Sequence, residues 1–324
     1  MTLLEVDSLT VEYITRRGKV RAVDEVSFSL EKGETLGVAG ESGSGKSTLG
    51  LSIIRLVPPT GVIVKGQIKI DEADIVKLPE NKMRTIRGRK VAYIFQDPMT
   101  SLNPVKKIGT HFTELIKTHE PNIKKEEAIE RTKNVLNSLG ILPERINDYP
   151  HQFSGGMRQR IMIGLGITLN PDLVIADEPT TALDVIVQAK ILDLLGSLRK
   201  VYGMALILIS HDLSIILERC DKIIVMYGGN MVEYANSTEL YENPLHPYTK
   251  GLLKSIPNIE LSDQKLSAIP GSPPNMLNTP EGCRFNPRCE YAQGKCRFKT
   301  PSMVNVGGNH FVRCFSAEEG AVVE

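Results

Sequence analysis

The chain has 324 residues, enough for one large domain or two of ordinary size with a real core. Its 39 Lys and Arg against 38 Asp and Glu leave no bulk field that would draw it to nucleic acid or an anionic membrane surface, so partners must be recognised at local sites. The longest apolar stretches, such as Met204 to Ile209, fall far short of the ~20 residues a membrane helix needs, and acids rather than a leader pattern mark the N-terminus, so the chain is expected to stay in the cytoplasm.

From Leu3 to Leu30, apolar and polar residues alternate around a turn at Arg16-Arg17-Gly18, the pattern of a half-exposed hairpin. Tyr13 lies in it; an aromatic there suits ordinary strand packing better than stacking on an adenine ring, although it is placed for either. Thr35 to Ala39 reads as a short buried strand. It runs into Gly40-Glu41-Ser42-Gly43-Ser44-Gly45-Lys46-Ser47-Thr48, which fits the phosphate-loop pattern G-x-x-x-x-G-K-[ST] at every fixed position. Its glycines let successive N–H groups turn inward around the β- and γ-phosphates of a nucleotide. Lys46 adds a point charge and Ser47 a hydroxyl for Mg²⁺. A helix over Leu49 to Leu56 completes the strand–loop–helix and points its positive end at the same anion.

Further strands are expected over Gly66 to Asp71 and Val91 to Phe95, the second ending at Gln96-Asp97-Pro98, where a glutamine can reach a metal or a water and can equally be a turn residue. The basic group Arg84, Arg87, Arg89 and Lys90 lacks interleaved aromatics and reads as a solvated face rather than a nucleic-acid patch. Ile108 to Leu139 reads as helical, broken at Pro121 and amphipathic from Glu126. Ser154-Gly155-Gly156, ahead of an apolar helical run from Ile161 to Leu169, offers a second anion-binding geometry. Leu173 to Asp177 is a buried strand ending in Asp177-Glu178. There Asp177 is suited to hold Mg²⁺ through water and Glu178 to polarise a water that attacks the γ-phosphate. Another buried strand, Ala205 to Ile209, ends at Ser210-His211-Asp212, where His211 suits contact with a γ-phosphate or, as a lone histidine, packing or capping.

Taken in this order, the motifs closely resemble those of an ATP-binding cassette (ABC) transporter ATPase over residues 1 to about 255. The resemblance assigns Tyr13 to adenine stacking, Gly40 to Thr48 to the Walker A loop, Gln96 to the Q-loop, and Asp177 with Glu178 to Walker B and the catalytic glutamate. Ala182-Leu183-Asp184 corresponds to the D-loop and His211 to the switch histidine. Ser154-Gly155-Gly156-Met157-Arg158-Gln159 stands where the family usually reads Leu-Ser-Gly-Gly-Gln; Phe153 and Met157 depart from that wording, while the serine and both glycines remain. What it implies is an α/β phosphate-loop fold with a RecA-like core, an antiparallel β subdomain and a helical subdomain over about 97 to 170. It also implies two such domains sandwiched head to tail on ATP and Mg²⁺, with each ATP between one chain's Walker A and the other's Ser154-Gly155-Gly156, carried by two membrane permeases.

Glu242-Asn243-Pro244-Leu245-His246-Pro247-Tyr248 and Ile269-Pro270-Gly271-Ser272-Pro273-Pro274 are similar to the extension of the oligopeptide/dipeptide branch of these ATPases. So is the tail bearing Cys283, Cys289, Cys296 and Cys314, where that branch holds a [4Fe-4S] cluster; the tail, 256–324, would be a small cysteine-bound domain. Spacings of five, six and seventeen residues lack the paired knuckles of structural zinc sites and the tight ferredoxin run, so from the residues alone zinc, disulfides or free thiols stay open beside the cluster. Cys220 reads as a buried small hydrophobe. The expected role is an ATP-hydrolysing subunit of a di- or oligopeptide importer at the cytoplasmic face of the membrane. It would pair with a second ATPase, as a heterodimer by the branch resemblance or as a homodimer, and work indirectly with an extracytoplasmic solute-binding protein. Oligosaccharide or nickel import is the alternative cargo. A soluble cassette ATPase acting on nucleic acid or ribosomes is disfavoured, since those usually carry two cassettes and this chain has one phosphate loop.

Overall fold

The computed structural model describes residues 1–97, 101–181, 183–256 and 269–318; Pro98 of the Gln96-Asp97-Pro98 run, Ala182 of the D-loop trio and two parts of the tail, 257–268 and 319–324, lie outside them. The chain forms two compact units. One comprises Met1, 31–34 and 78–207, the other 2–30, 35–77 and the chain from 208 onward.

The second of these, the phosphate-loop unit, begins with β1 (Thr2–Thr15) and β2 (Gly18–Glu31), the expected hairpin, and continues through β3 (Thr35–Ala39), α1 (Lys46–Ile53), β4 (Gly61–Ile70) and β5 (Ala73–Asp74). A four-stranded sheet runs in the order β2-β1-β4-β5. β1 and β4 are antiparallel, Leu4 opposite Ile70 and Tyr13 opposite Gly61, with a bulge between Asp7 and Thr10. Alternation in β1 turns Leu4 and Val6 to the core.

The helical unit holds α2 (Glu80–Ile86), β6 (Val91–Ile94), α3 (Ile108–His119), α4 (Lys125–Ser138), α5 (Gly155–Ile167), β7 (Leu173–Asp177) and α6 (Val185–Tyr202). β6 and β7 pair in parallel, Val91 with Leu173 through Ile94 with Ala176. The near-continuous apolar run of β7, buried at every position, is what a parallel strand covered on both faces requires. Phe112 and Ile116 of α3, Leu136 of α4 and Ile163 of α5 are wholly buried, so the apolar stripes of the amphipathic helices form this unit's core.

Within β8 (Ala205–Ser210) the chain passes back into the phosphate-loop unit, where it adds α7 (Leu213–Arg219), β9 (Lys222–Tyr227), β10 (Asn230–Asn236), α8 (Ser237–Glu242), α9 (Pro247–Lys254), β11 (Val304–Gly307), β12 (His310–Val312) and α10 (Phe315–Glu318). Here the second sheet runs β11-β12-β10-β9-β3, with β3 and β9 parallel and β10 antiparallel to both β9 and β12. Gly37 in β3 lets α7 approach closely: a Cβ there would lie 2.1 Å from Ile216 Cγ2. Cys220, which closes α7, is buried as a small apolar side chain.

Candidate nucleotide site

In the phosphate-loop unit the buried strand β3 delivers the chain into the loop and α1 takes it away. Gly45 is the N-cap of α1 at φ 104°, and a Cβ there would meet Ala22 O at 2.1 Å, so glycine supplies both the backbone angle and the room. Lys46 is 5% exposed, and its ammonium donates to the carbonyl oxygens of Gly40 (2.7 Å) and Glu41 (3.0 Å). These two bonds hold the ammonium within the curve of the loop, where its charge favours an anion. Ser44 Oγ is buried with no hydrogen-bond partner among the described residues, a further polar atom for a ligand to satisfy. Ser42, Gly43 and Ser47 are exposed on the loop. Tyr13 OH lies 3.3 Å from Thr48 Oγ1, which places the aromatic beside the loop. His211, exposed, follows β8, and Asp212 after it caps α7 by accepting from Ser214 N–H (2.9 Å).

In the helical unit, β7 carries the two acids. Asp177 is 6% exposed and accepts a 2.7 Å hydrogen bond from Tyr93 OH on the neighbouring β6. Glu178 leaves the strand at φ 44°, in the left-handed region that a non-glycine residue adopts at a cost of about 1–3 kcal/mol, a strain typical of working sites. One of its carboxylate oxygens, Oε2, accepts from Gln96 Nε2 (3.0 Å) and Thr181 Oγ1 (2.9 Å). Gln96 and Glu178, both candidates from the sequence, are thereby brought together. Ser154 is the N-cap of α5, its Oγ accepting from Met157 N–H at 3.4 Å, while Ser154 and Gly155 remain exposed at the helix start. Phe153 is 2% exposed under the Arg145 guanidinium, 4.0 Å from its ring, so this departure from the family wording is a packing residue. Asp184 caps α6 through Val187 N–H at 3.0 Å. Tyr93 and Thr181 escaped the sequence reading; Thr181, three residues after Glu178, was the more visible of the two.

Back in the phosphate-loop unit, Cys283, Cys289, Cys296 and Cys314 line one cavity of ≈20 Å³ and none forms a disulfide. Burial, reinforced by the neighbouring thiols, pushes Cys283 and Cys289 up to about 11. Among the described residues no three His, Cys, Asp or Glu side chains converge as they would on one metal ion.

Residues 23–181 match the ABC transporter family, and 232–296 match the C-terminal region of oligopeptide/dipeptide transporters. The oligopeptide transport ATP-binding protein AppD of Bacillus subtilis is 47% identical over 98% of each chain. The dipeptide transport ATP-binding protein DppD of Escherichia coli is 42% identical over 97% of this chain and 96% of its own length. Among solved structures, the cassette MJ0796, a dimer in a post-hydrolysis state bound to ADP and Pi, superposes with a TM-score of 0.65 at 26% identity, covering 72% of this chain and 99% of that one.

Proposed function

The chain belongs to the ABC transporter ATPases, and from that premise we propose that it is the ATP-hydrolysing subunit of an importer of di- and oligopeptides. One observation carries the peptide reading: relatives named for oligopeptide and dipeptide transport align with nearly the whole chain, and the branch's C-terminal region matches 232–296.

In this reading Tyr13 stacks on adenine, the loop from Gly40 to Thr48 with Lys46 holds the phosphates, and Ser47, Gln96 and Asp177 serve Mg²⁺. Glu178 takes the proton of the attacking water and His211 contacts the γ-phosphate. Gln96 and Thr181 support the assignment of Glu178, because both donate to its Oε2 and so hold the carboxylate in place. Ser154, Gly155, Gly156 and Asp184 act on the ATP of a partner ATPase. A γ-phosphate held by both partners favours the closed dimer, and its loss on hydrolysis removes that differential binding. The partner is a second, related ATPase subunit, and two permeases anchor the pair at the cytoplasmic face. Among the described residues no helix is long and apolar enough to cross a membrane. The nucleotide-binding domain spans 1–255, with its helical part over about 97–170, and the tail spans 256–324. Glu178→Gln tests these roles: ATP binding persists, turnover falls by roughly 10²-fold or more, and ATP traps the dimer. Undiminished turnover would contradict the role given to Glu178.

The four cysteines, in the same proposal, hold a [4Fe-4S] cluster. Four thiols lining one cavity without disulfides are a donor set of the kind that holds such a group. The cluster would supply a staple joining Cys283 and Cys289 to Cys296 and Cys314 in a tail with few large apolar residues. Anaerobic purification should yield a brown protein absorbing near ~400 nm; a colourless protein with stoichiometric zinc would defeat it.

A further inference from the structure

The chain beyond β10 returns twice to the phosphate loop, both times at Glu41. Tyr248, in the first turn of α9, is wholly buried, and its hydroxyl accepts a hydrogen bond from Glu41 N–H at 2.9 Å. Arg288 donates from both terminal nitrogens to the two carboxylate oxygens of Glu41, at 2.8 and 3.0 Å, a planar fork that fixes orientation as well as charge. The fork is itself held. Arg288 Nε donates to Pro270 O at 2.7 Å, and the guanidinium lies 5.7 Å from the centre of the Tyr227 ring. The rings of Tyr227, Tyr248 and Phe285 pack on one another with centroids 4.6 to 5.4 Å apart.

Glu41 is the first variable position of the loop, so an unpaired carboxylate there would repel a nucleotide's phosphates, and Arg288 cancels that charge. The turn that presents Arg288, Asn286–Arg288, follows Phe285 and ends on the cavity cysteine Cys289. Asn286 donates to Cys283 O from its backbone N–H (3.0 Å) and from Nδ2 (2.7 Å), and Cys289 follows Arg288 directly in the chain. Cys283 and Cys289 are thereby tied to the turn that carries the guanidinium.

We propose that Tyr248 and Arg288 are positioning residues for nucleotide binding, and that through the Cys283–Cys289 turn they make the affinity of the phosphate loop depend on the state of the four-cysteine cavity. This rests on the nucleotide and cysteine readings above.

The test uses the full chain purified anaerobically, with binding of a fluorescent ATP analogue and the melting temperature read for each variant. Arg288→Ala weakens binding by about tenfold, the scale of one like charge left beside the phosphates. Adding Glu41→Gln to Arg288→Ala restores it to within about threefold of the unmodified protein, because the repelling charge is gone. Arg288→Lys, which keeps the charge but loses the fork, falls between. Tyr248→Phe, which keeps the ring packing but removes the acceptor for Glu41 N–H, weakens binding by about threefold. A purely structural Arg288 would leave the double variant at least as weak as the single one, and that result overturns the positioning claim. Alkylating the four thiols after chelation weakens the unmodified protein by about threefold or more and leaves Arg288→Ala unmoved; an affinity indifferent to this treatment overturns the coupling. Failure of the unmodified protein to bind ATP would overturn the nucleotide reading and this proposal with it, whereas tight binding indifferent to Arg288 overturns this proposal alone.

Discussion

Glu233→Gln is expected to be among the more damaging single changes in the phosphate-loop unit. The Glu233 carboxylate is fully buried in β10 and accepts three hydrogen bonds: from Leu245 N–H at 2.7 Å, from His246 N–H at 3.0 Å and from His310 Nε2 at 2.8 Å. An amide has one acceptor oxygen, so its NH₂ must face at least one of these donors. Losing a bond to a charged acceptor costs about 1.5–3 kcal/mol and stranding a buried N–H about 1–3 kcal/mol, so roughly 3 kcal/mol in sum is expected. For a chain of this size that lowers the melting temperature by roughly 5–10 °C. A pH series adds a sharper readout. Burial would lower the pKa of His310, but its hydrogen bond to Glu233, with the charges of Glu233 and Glu239, outweighs burial and holds it above the ordinary 6.5. Since the folded value is the raised one, this stabilisation is complete below the unfolded value and is lost as pH rises through the folded value. Thermal melts of both proteins from pH 6 to 9 should show the alkaline loss in the unmodified chain and its absence in Glu233→Gln. Equal melting temperatures with an unchanged alkaline slope would refute the reasoning.

On the acid side the sign reverses at His246, which burial holds down to about 4 and whose Nδ1 accepts from Tyr248 N–H at 3.0 Å. Its contribution, about 3 kcal/mol for that depression, is present above the unfolded value and lost as pH falls from 6.5 toward 4. His246→Asn, which keeps a capping oxygen, should flatten that limb in the same melts. Gly45→Ala places a Cβ against Ala22 O at an angle alanine rarely adopts, and should abolish nucleotide binding measured by fluorescence while the rest of the chain stays folded. Tyr93→Phe removes the donor that fixes Asp177, and a several-fold rise in the Mg²⁺ concentration needed for half-maximal hydrolysis is expected, with ATP affinity little changed.

The nucleotide motif was legible because close approach dictates its residues: no other side chain fits Gly45, and a lysine after it has one common use. The hairpin of β1 and β2 was legible because one face of each strand is buried and the other wet. Contacts between residues distant in sequence were not. Tyr93 reads as an ordinary strand aromatic until β6 pairs with β7, and Arg288 reads as one more basic residue until it meets Glu41, 247 positions away. The β11–β12 hairpin carries little apolar signal, since Val304–Gly307 is largely exposed and is held by its pairing with β12. By contrast, Ile191, Leu192, Leu195 and Leu198 form a visible helical stripe in α6 that the reading passed over.

The most direct test of the central claim is ATP hydrolysis by the chain reassembled in lipid with its permeases, partner ATPase and solute-binding protein, with peptides, oligosaccharides or nickel as cargo. Peptides alone should stimulate turnover, and Glu178→Gln should remove the stimulation. Stimulation by oligosaccharides or nickel with none by peptides would contradict the account.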